Sequence, residues 1–199
     1  MSLAATVADP ALREMLEEAF RLLARGVADR RSPYHTPVVA TMGEDGVPRA
    51  RIVVLRGFDA AVPALRFHTD SRSPKWRELA ALPNLSLVFY DPGARLQVRV
   101  EALAVLHGED GVAEAAWQTS QPMSRVCYGT EPSPGSAIGE GDAFSLPQDP
   151  AEIAAGRRNF GAVICRAVRL DVLHLAHSGH RRAAYGFADG KAAAVWLAP

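Results

Sequence analysis

The chain has 199 residues, 48% of them hydrophobic and 22% charged, the balance of a soluble globular protein with one core, or one core with appendages. Its 22 Lys and Arg residues match 22 Asp and Glu residues, so no molecule-wide field favours DNA, RNA or an acidic membrane, and any anion site has to be local. Apolar runs such as Arg51–Leu55 and Lys191–Ala198 are far shorter than the roughly 20 residues that span a bilayer, Met1–Ala8 has no apolar export core, and Cys127 and Cys165 stand far apart without a ligand pattern, so a cytoplasmic protein with reduced thiols is expected.

Asp9-Pro10 reads as an N-cap followed by proline at the first helical position, and Leu12, Met15, Leu16, Ala19, Phe20 and Leu23 then recur at helical spacing. Gly26 and the polar run Asp29–Ser32 are expected to end this helix. Val38–Met42 and Val47–Leu55 flank Gly43-Glu44-Asp45-Gly46 and read as a hairpin. Leu65–Thr69 forms a further strand, Ser73-Pro74 opens a short helix, and Leu85–Tyr90 and Leu96–His107 resume β character. Asp110–Ser120 is helical in pattern, with a second short turn over Pro122–Cys127. Gly129–Gly156 is rich in glycine and proline and is expected to be a long irregular loop with a functional or interface role. Gly161–Leu170, Val172–Ala176 and the pair Arg182–Phe187 and Ala192–Leu197 complete seven or eight strands. Short strands joined by turns point to a mainly β, antiparallel barrel with peripheral helices, because closure removes exposed edges. The expected organisation is one domain over 1–199, with an N-terminal helical segment at 1–32, the loop at 129–156 and C-terminal strands over 160–199.

Candidate chemistry concentrates in two stretches. In Arg51-Ile52-Val53-Val54-Leu55-Arg56, read as one strand, Arg51, Val53 and Leu55 share one face and Ile52, Val54 and Arg56 the other, with a cation at each end. Downstream, Thr69, Ser71, Arg72, Ser73 and Lys75 gather hydroxyls and cations where a strand runs into a helix N-terminus. Free amides, a favourable helix dipole and charge-assisted bonds from Arg and Lys are what a phosphate requires. The same residue types also describe a solvated basic loop, and composition does not decide between the two.

The order R-x-V-V-L-R-G-F-D, F-H-T-D-S-R-S-x-K, L-x-F-Y and R-L-Q-V-R-V-E-A, followed by G-H-R-R and a final W-L-A-P, resembles the pyridoxamine 5'-phosphate oxidase family over about Pro37 to Pro199. The resemblance implies an FMN-binding split β-barrel, a homodimer with flavin in clefts between subunits, and a small-molecule substrate. It places Arg51, Ile52, Val53, Val54, Leu55 and Arg56 beside the flavin, with Arg51 toward the phosphate, and makes His68 and Thr69 further contacts. Arg72, Ser73 and Lys75 then form the phosphate turn, although Pro74 stands where the family has Arg. Gln97 matches a glutamine that reaches the flavin ring across the interface. Arg56 and Arg181 are candidate substrate anchors. The chain departs from the oxidases acting on the vitamin, which carry R-x-H where this sequence has Arg181-Arg182-Ala183, and Leu175 and Tyr185 replace a Trp and an Arg. An FMN-dependent oxidoreductase of undetermined substrate is the leading expectation; a non-catalytic flavin-binding or sensing protein, or a dimer with an empty cleft, are the others.

Other motifs carry less. His174, His177 and His180 are spaced for a helix face but fall in a region read as strand, so no metal site is expected. Ser133-Pro134-Gly135-Ser136 lacks the strand-to-helix setting of a nucleophile elbow. Trp76, Trp117 and Trp196 read as core or interface aromatics.

Overall fold

A computed structural model of the chain describes residues 3–199. Helix α1 (Pro10–Ala28) begins as its sequence dictates: the Asp9 carboxylate accepts from the Ala11 and Leu12 amides, Pro10 occupies the first turn, and the apolar stripe is buried. The helix continues through Gly26 to Ala28 rather than stopping at the glycine. Gly26 is where the returning chain closes on the helix, since a Cβ there would lie 2.7 Å from the Tyr34 carbonyl oxygen.

Among the described residues nine strands form one wholly antiparallel sheet: β1 (Val38–Met42), β2 (Pro48–Ile52), β3 (Leu55–Asp59), β4 (Ala64–Asp70), β5 (Asn84–Asp91), β6 (Leu96–His107), β7 (Phe160–His174), β8 (Arg181–Ala188) and β9 (Lys191–Leu197). The order is β2-β1-β5-β6-β7-β4-β3, with β8 on β7 and β9 on β8. One edge of β7 is taken by β6; along the other, β4 pairs with residues 160–166 and β8 with residues 169–174. Two hairpins therefore sit end to end on a single long strand.

The curled sheet encloses Leu55, Leu65, Phe67, Leu87, Phe89, Val98, Val100 and Val172, and α1 packs onto this core with Leu16, Phe20 and Leu23. Alternation along β6 puts Leu96, Val98, Val100 and Ala102 inside and leaves Arg99 and Glu101 exposed. The short helix α2 (Pro74–Ala81) sits between β4 and β5. On the outer face, α3 (Gly111–Gln118) lays Ala113, Ala116 and Trp117 over Phe160, Ala162 and Tyr128 as a second apolar cluster. Beyond it come α4 (Pro122–Arg125) and α5 (Pro150–Ala155).

The mainly β reading with peripheral helices holds, with three changes. Val47–Leu55 is not one strand: β2 ends at Ile52, the Val53 amide donates to the Pro37 carbonyl at 3.0 Å, and the chain restarts as β3 against β4. Across this break Val53 and Leu55 are nevertheless buried while Ile52 is exposed and Val54 and Arg56 are half-buried, so the expected alternation persists in burial. Gly161–Leu170 and Val172–Ala176 merge into β7, whose register shift opposite Glu101 and Ala102 absorbs the irregularity. The 129–156 segment is largely irregular as expected, yet it contains α5, capped by Asp149, and a bridge between Glu131 and Ser145.

Candidate functional site

The site grows from the junction of β4 with α2. Thr69 ends the buried face of β4, and Ser73 precedes α2 with Pro74 at its first position. The Ser73 hydroxyl is buried but forms no cap to its own helix; it lies 3.2 Å from Thr69 Oγ1. Lys75 Nζ donates to the same Thr69 oxygen at 2.9 Å. Among the described residues the Lys75 ammonium has no carboxylate within ion-pair distance. Burial, reinforced by the neighbouring Arg51 charge, holds it below the usual lysine range. A half-buried cation facing a second cation, with two hydroxyls beside it, is an incomplete electrostatic arrangement.

Arg51 reaches this junction from β2. Its guanidinium donates to Thr41 Oγ1 and, at 2.9 Å, to Glu78 Oε2 on α2; Thr41 in turn donates to Glu78 at 2.5 Å. Burial alone would raise the Glu78 pKa, but the hydrogen bonds from Thr41 and Arg51 and the charges of Arg51 and Arg49 outweigh it, and the carboxyl is held below its ordinary value. Glu78 therefore orients Arg51 without neutralising Lys75. Neither Thr41 nor Glu78 figured among the sequence candidates; the available signal was a carboxylate one helical turn after Lys75.

Arg72, expected at the phosphate, spends its guanidinium on protein acceptors. It donates to both Asp70 oxygens at 3.0 and 2.8 Å, to Glu131 Oε1 at 2.6 Å and to the Thr130 carbonyl at 2.9 Å. It thus ties the start of the 129–156 segment to the β4–α2 turn. Asn159 assists, donating to the Tyr128 carbonyl at 2.7 Å while its own carbonyl accepts from the Ser71 amide. Arg72→Ala is expected to cost about 1.5–3 kcal/mol of loop anchoring and to raise the rate of limited proteolysis within 129–156 by roughly tenfold or more. Unchanged cleavage would remove the anchoring role.

The remaining candidates divide. Val53 and Leu55 are buried, Val54 and Arg56 are half-buried, and Ile52 is 67% exposed. His68 packs edge-on to Phe160 at 4.8 Å, and its Nε2 is buried without a hydrogen-bond partner. Burial first, then the charges of Arg66 and Arg56, push its pKa down to about 3, so the ring is neutral at physiological pH. Gln97 lies on β6 between Tyr90 and Leu173, and Arg181 begins β8 opposite His174; neither hydrogen-bonds to the Lys75 group. Tyr185 is fully buried and donates to the Leu12 carbonyl at 2.9 Å.

These residues fit the phosphate end of a flavin mononucleotide. Among the described residues Lys75 has no carboxylate within ion-pair distance, and Ser73 beside it has a hydroxyl not used in capping. The orphaned His68 nitrogen is a further group that a ligand's polar atom would satisfy.

Comparison with known proteins agrees. Residues 12–108 match the pyridoxamine 5'-phosphate oxidase FMN-binding domain. A pyridoxine/pyridoxamine 5'-phosphate oxidase of Azorhizobium caulinodans is 37% identical over 114 residues, 55% of this chain and 52% of the relative. One from Myxococcus xanthus is 43% identical over 89 residues, 45% of this chain and 42% of the relative. The chain thus spans about half the length, or less, of these curated relatives. Among solved structures, a pyridoxamine 5'-phosphate oxidase-related FMN-binding protein of Nostoc punctiforme superposes with a TM-score of 0.71 at 27% identity, covering 97% of this chain and 100% of the other. PhzG of Burkholderia lata, solved with tetrahydrophenazine-1-carboxylic acid, shares the fold at a TM-score of 0.69 and 20% identity, covering 97% and 98%.

Fold and site together define a split-barrel protein carrying an FMN-binding domain. The chain is similar over residues 12–108 to the FMN-binding domain of pyridoxamine 5'-phosphate oxidases, and over nearly its whole length to an FMN-binding protein related to them.

Proposed function

We propose that this protein is an FMN-dependent oxidoreductase of a small-molecule substrate, acting as a homodimer. The observation that carries the reading is the half-buried Lys75 ammonium, without an ion-pair partner among the described residues, beside Arg51, Thr69 and Ser73 at the start of α2. Arg51, Ser73 and Lys75 hold the cofactor phosphate, with Arg72 keeping the neighbouring loop in place. Ile52–Arg56 lie along the flavin ring, and neutral His68 and Thr69 complete the contact. FMN, when bound, supplies hydride or single-electron exchange. The protein orients the substrate, excludes water and sets the local charge, and Arg56 is the candidate anchor for an acidic substrate group.

The dimer reading is supported by an exposed apolar strip. Val38 on β1 pairs with Ile52 on β2 and Val88 on β5, and all three side chains are exposed on the same outer face. Contiguous exposed apolar surface of this kind marks an interface, and a second copy of this chain is the proposed occupant. Val88→Asp is expected to weaken the dimer about tenfold or more, read by sedimentation. A wild-type protein that sediments as a monomer would overturn this reading.

The decisive experiment is a flavin titration of purified protein. A yellow, FMN-containing protein, reduced by a substrate and reoxidised, supports the enzyme; colourless protein that ignores added FMN excludes the reading. One observation favours a second possibility, flavin binding without vitamin oxidation. Ala183 is fully buried, and Arg182 is committed to Asp171 at 2.7 Å, so β8 has no histidine to offer where the vitamin oxidases carry one. Bleaching by a reductant and recovery in air, without turnover of any amine or nicotinamide donor, would favour this possibility.

A further inference from the structure

A cavity of about 780 Å3 lies outside the Lys75 group, in the gap between the β3–β4 and β8–β9 hairpin ends on β7. The gap follows from topology: β4 leaves β7 at Arg166, the Pro63 carbonyl of the β3–β4 turn accepts from the Ala167 amide at 2.8 Å, and β8 joins β7 only at Arg169. Its apolar walls include Leu3, Phe58, Ile164 and Phe187, with Phe58 and Phe187 backed by Phe20 of α1. A mainly apolar cleft of this size with a few polar groups has the character of a small-molecule site.

The polar groups are unevenly satisfied. Arg66 pairs across the sheet with Ile164, and Arg166 with Ala64, so the two arginines occupy diagonal positions on one face of the β4–β7 ladder, about 7–8 Å apart at the backbone. Side chains at diagonal positions are within reach of each other, so one anion could be met by both guanidinium groups. Among the described residues, neither arginine forms an ion pair. Arg66 donates once, to the Arg56 carbonyl at 3.2 Å, and its Nε is buried without a partner. Gly57 stands opposite Arg66, where even a Cβ would come within 3.3 Å of that side chain; a bare backbone is what lets Arg66 lie there. Two carboxylates also line the cleft, but Asp59 caps its own turn through the Ala61 amide and Asp189 sits in the β8–β9 turn.

We propose that this cleft binds an amphipathic organic acid, its acid group between Arg66 and Arg166 and its apolar body against Phe58, Phe187 and Leu3. The cleft is lined by none of Arg51, His68, Thr69, Ser73 or Lys75, and the proposal does not rest on the FMN reading. The probe is 2-naphthoate, with 2-naphthalenemethanol as its uncharged counterpart, titrated calorimetrically into the full chain with and without excess FMN. The acid is expected to bind and the alcohol to bind about tenfold or more weakly, with FMN not competing. Arg166 is exposed, so Arg166→Glu perturbs the surface alone; it should weaken the acid about tenfold or more while leaving the alcohol unchanged, and Arg166→Lys should retain most of the affinity. Ala64→Phe, which fills the cleft, should abolish binding of both. Equal affinity for acid and alcohol, indifference to Arg166→Glu, competition by FMN, or no binding of the acid at millimolar concentration would each overturn the proposal.

Discussion

Lys75→Met is expected to raise the dissociation constant for FMN roughly 10- to 150-fold, the equivalent of about 1.5–3 kcal/mol for one charge-assisted hydrogen bond. The apo protein should lose no stability from the same change. Lys75 is partly desolvated, the repulsion from Arg51 is felt ahead of the attraction of Asp70 and Glu78, and its hydrogen bond among the described residues is to the neutral Thr69 hydroxyl. Methionine keeps the stem and removes the charge, so the repulsion with Arg51 disappears and the apolar packing remains. Binding and stability therefore move independently, which a general packing defect would not produce. The affinity should also weaken with salt in the wild type and less so in the variant, because a charge contact is screened and an apolar one is not. An FMN affinity within about threefold of wild type would show that Lys75 does not meet the phosphate.

Arg51→Met should damage folding and binding together. Removing the guanidinium takes one cation from the phosphate and strands the buried Glu78 carboxylate, whose remaining hydrogen-bond partner is Thr41. Breaking a buried pair from one side costs about 3–5 kcal/mol. The second substitution Glu78→Gln, made in the Arg51→Met background, should restore much of the stability but none of the FMN affinity.

The pH dependence carries the same signature. The folded pKa of Glu78 lies below its unfolded value, so the stabilisation it confers is complete above about pH 4.3, the ordinary glutamate value, and is lost as pH falls through the lower folded value. Glu78→Gln should therefore be less stable than wild type at pH 7 and show a flatter stability profile below about pH 4. Chemical denaturation at the two pH values measures both effects. Identical slopes in wild type and variant would mean that Glu78 titrates as it does in the unfolded chain.

Much of this was readable in short stretches of sequence. Asp9-Pro10 and the 3.6-residue stripe specify α1, because capping and helical amphipathicity act within a few residues. The alternation in Leu96–His107 specifies β6, and the Gly43–Gly46 turn specifies the hairpin of β1 and β2. The gathering of Thr69, Ser73 and Lys75 was legible for the same reason, since the strand end and the helix start that hold them are adjacent in the chain.

What the tertiary structure decided lies between distant residues. Nothing in Ile52-Val53-Val54-Leu55 announces that the chain leaves one part of the sheet and joins another, because either path buries the same apolar residues; the choice is made by the Pro37 carbonyl and the β4 edge. Arg72 has the composition of a phosphate ligand, yet Glu131, 59 residues away, helps turn it toward the loop. Arg51 likewise acquires Glu78 only when α2 folds back over β1 and β2. Local sequence determines where a cation can stand, through dihedral preference and periodicity. Which anion it meets depends on long-range packing that brings particular acceptors within hydrogen-bond distance.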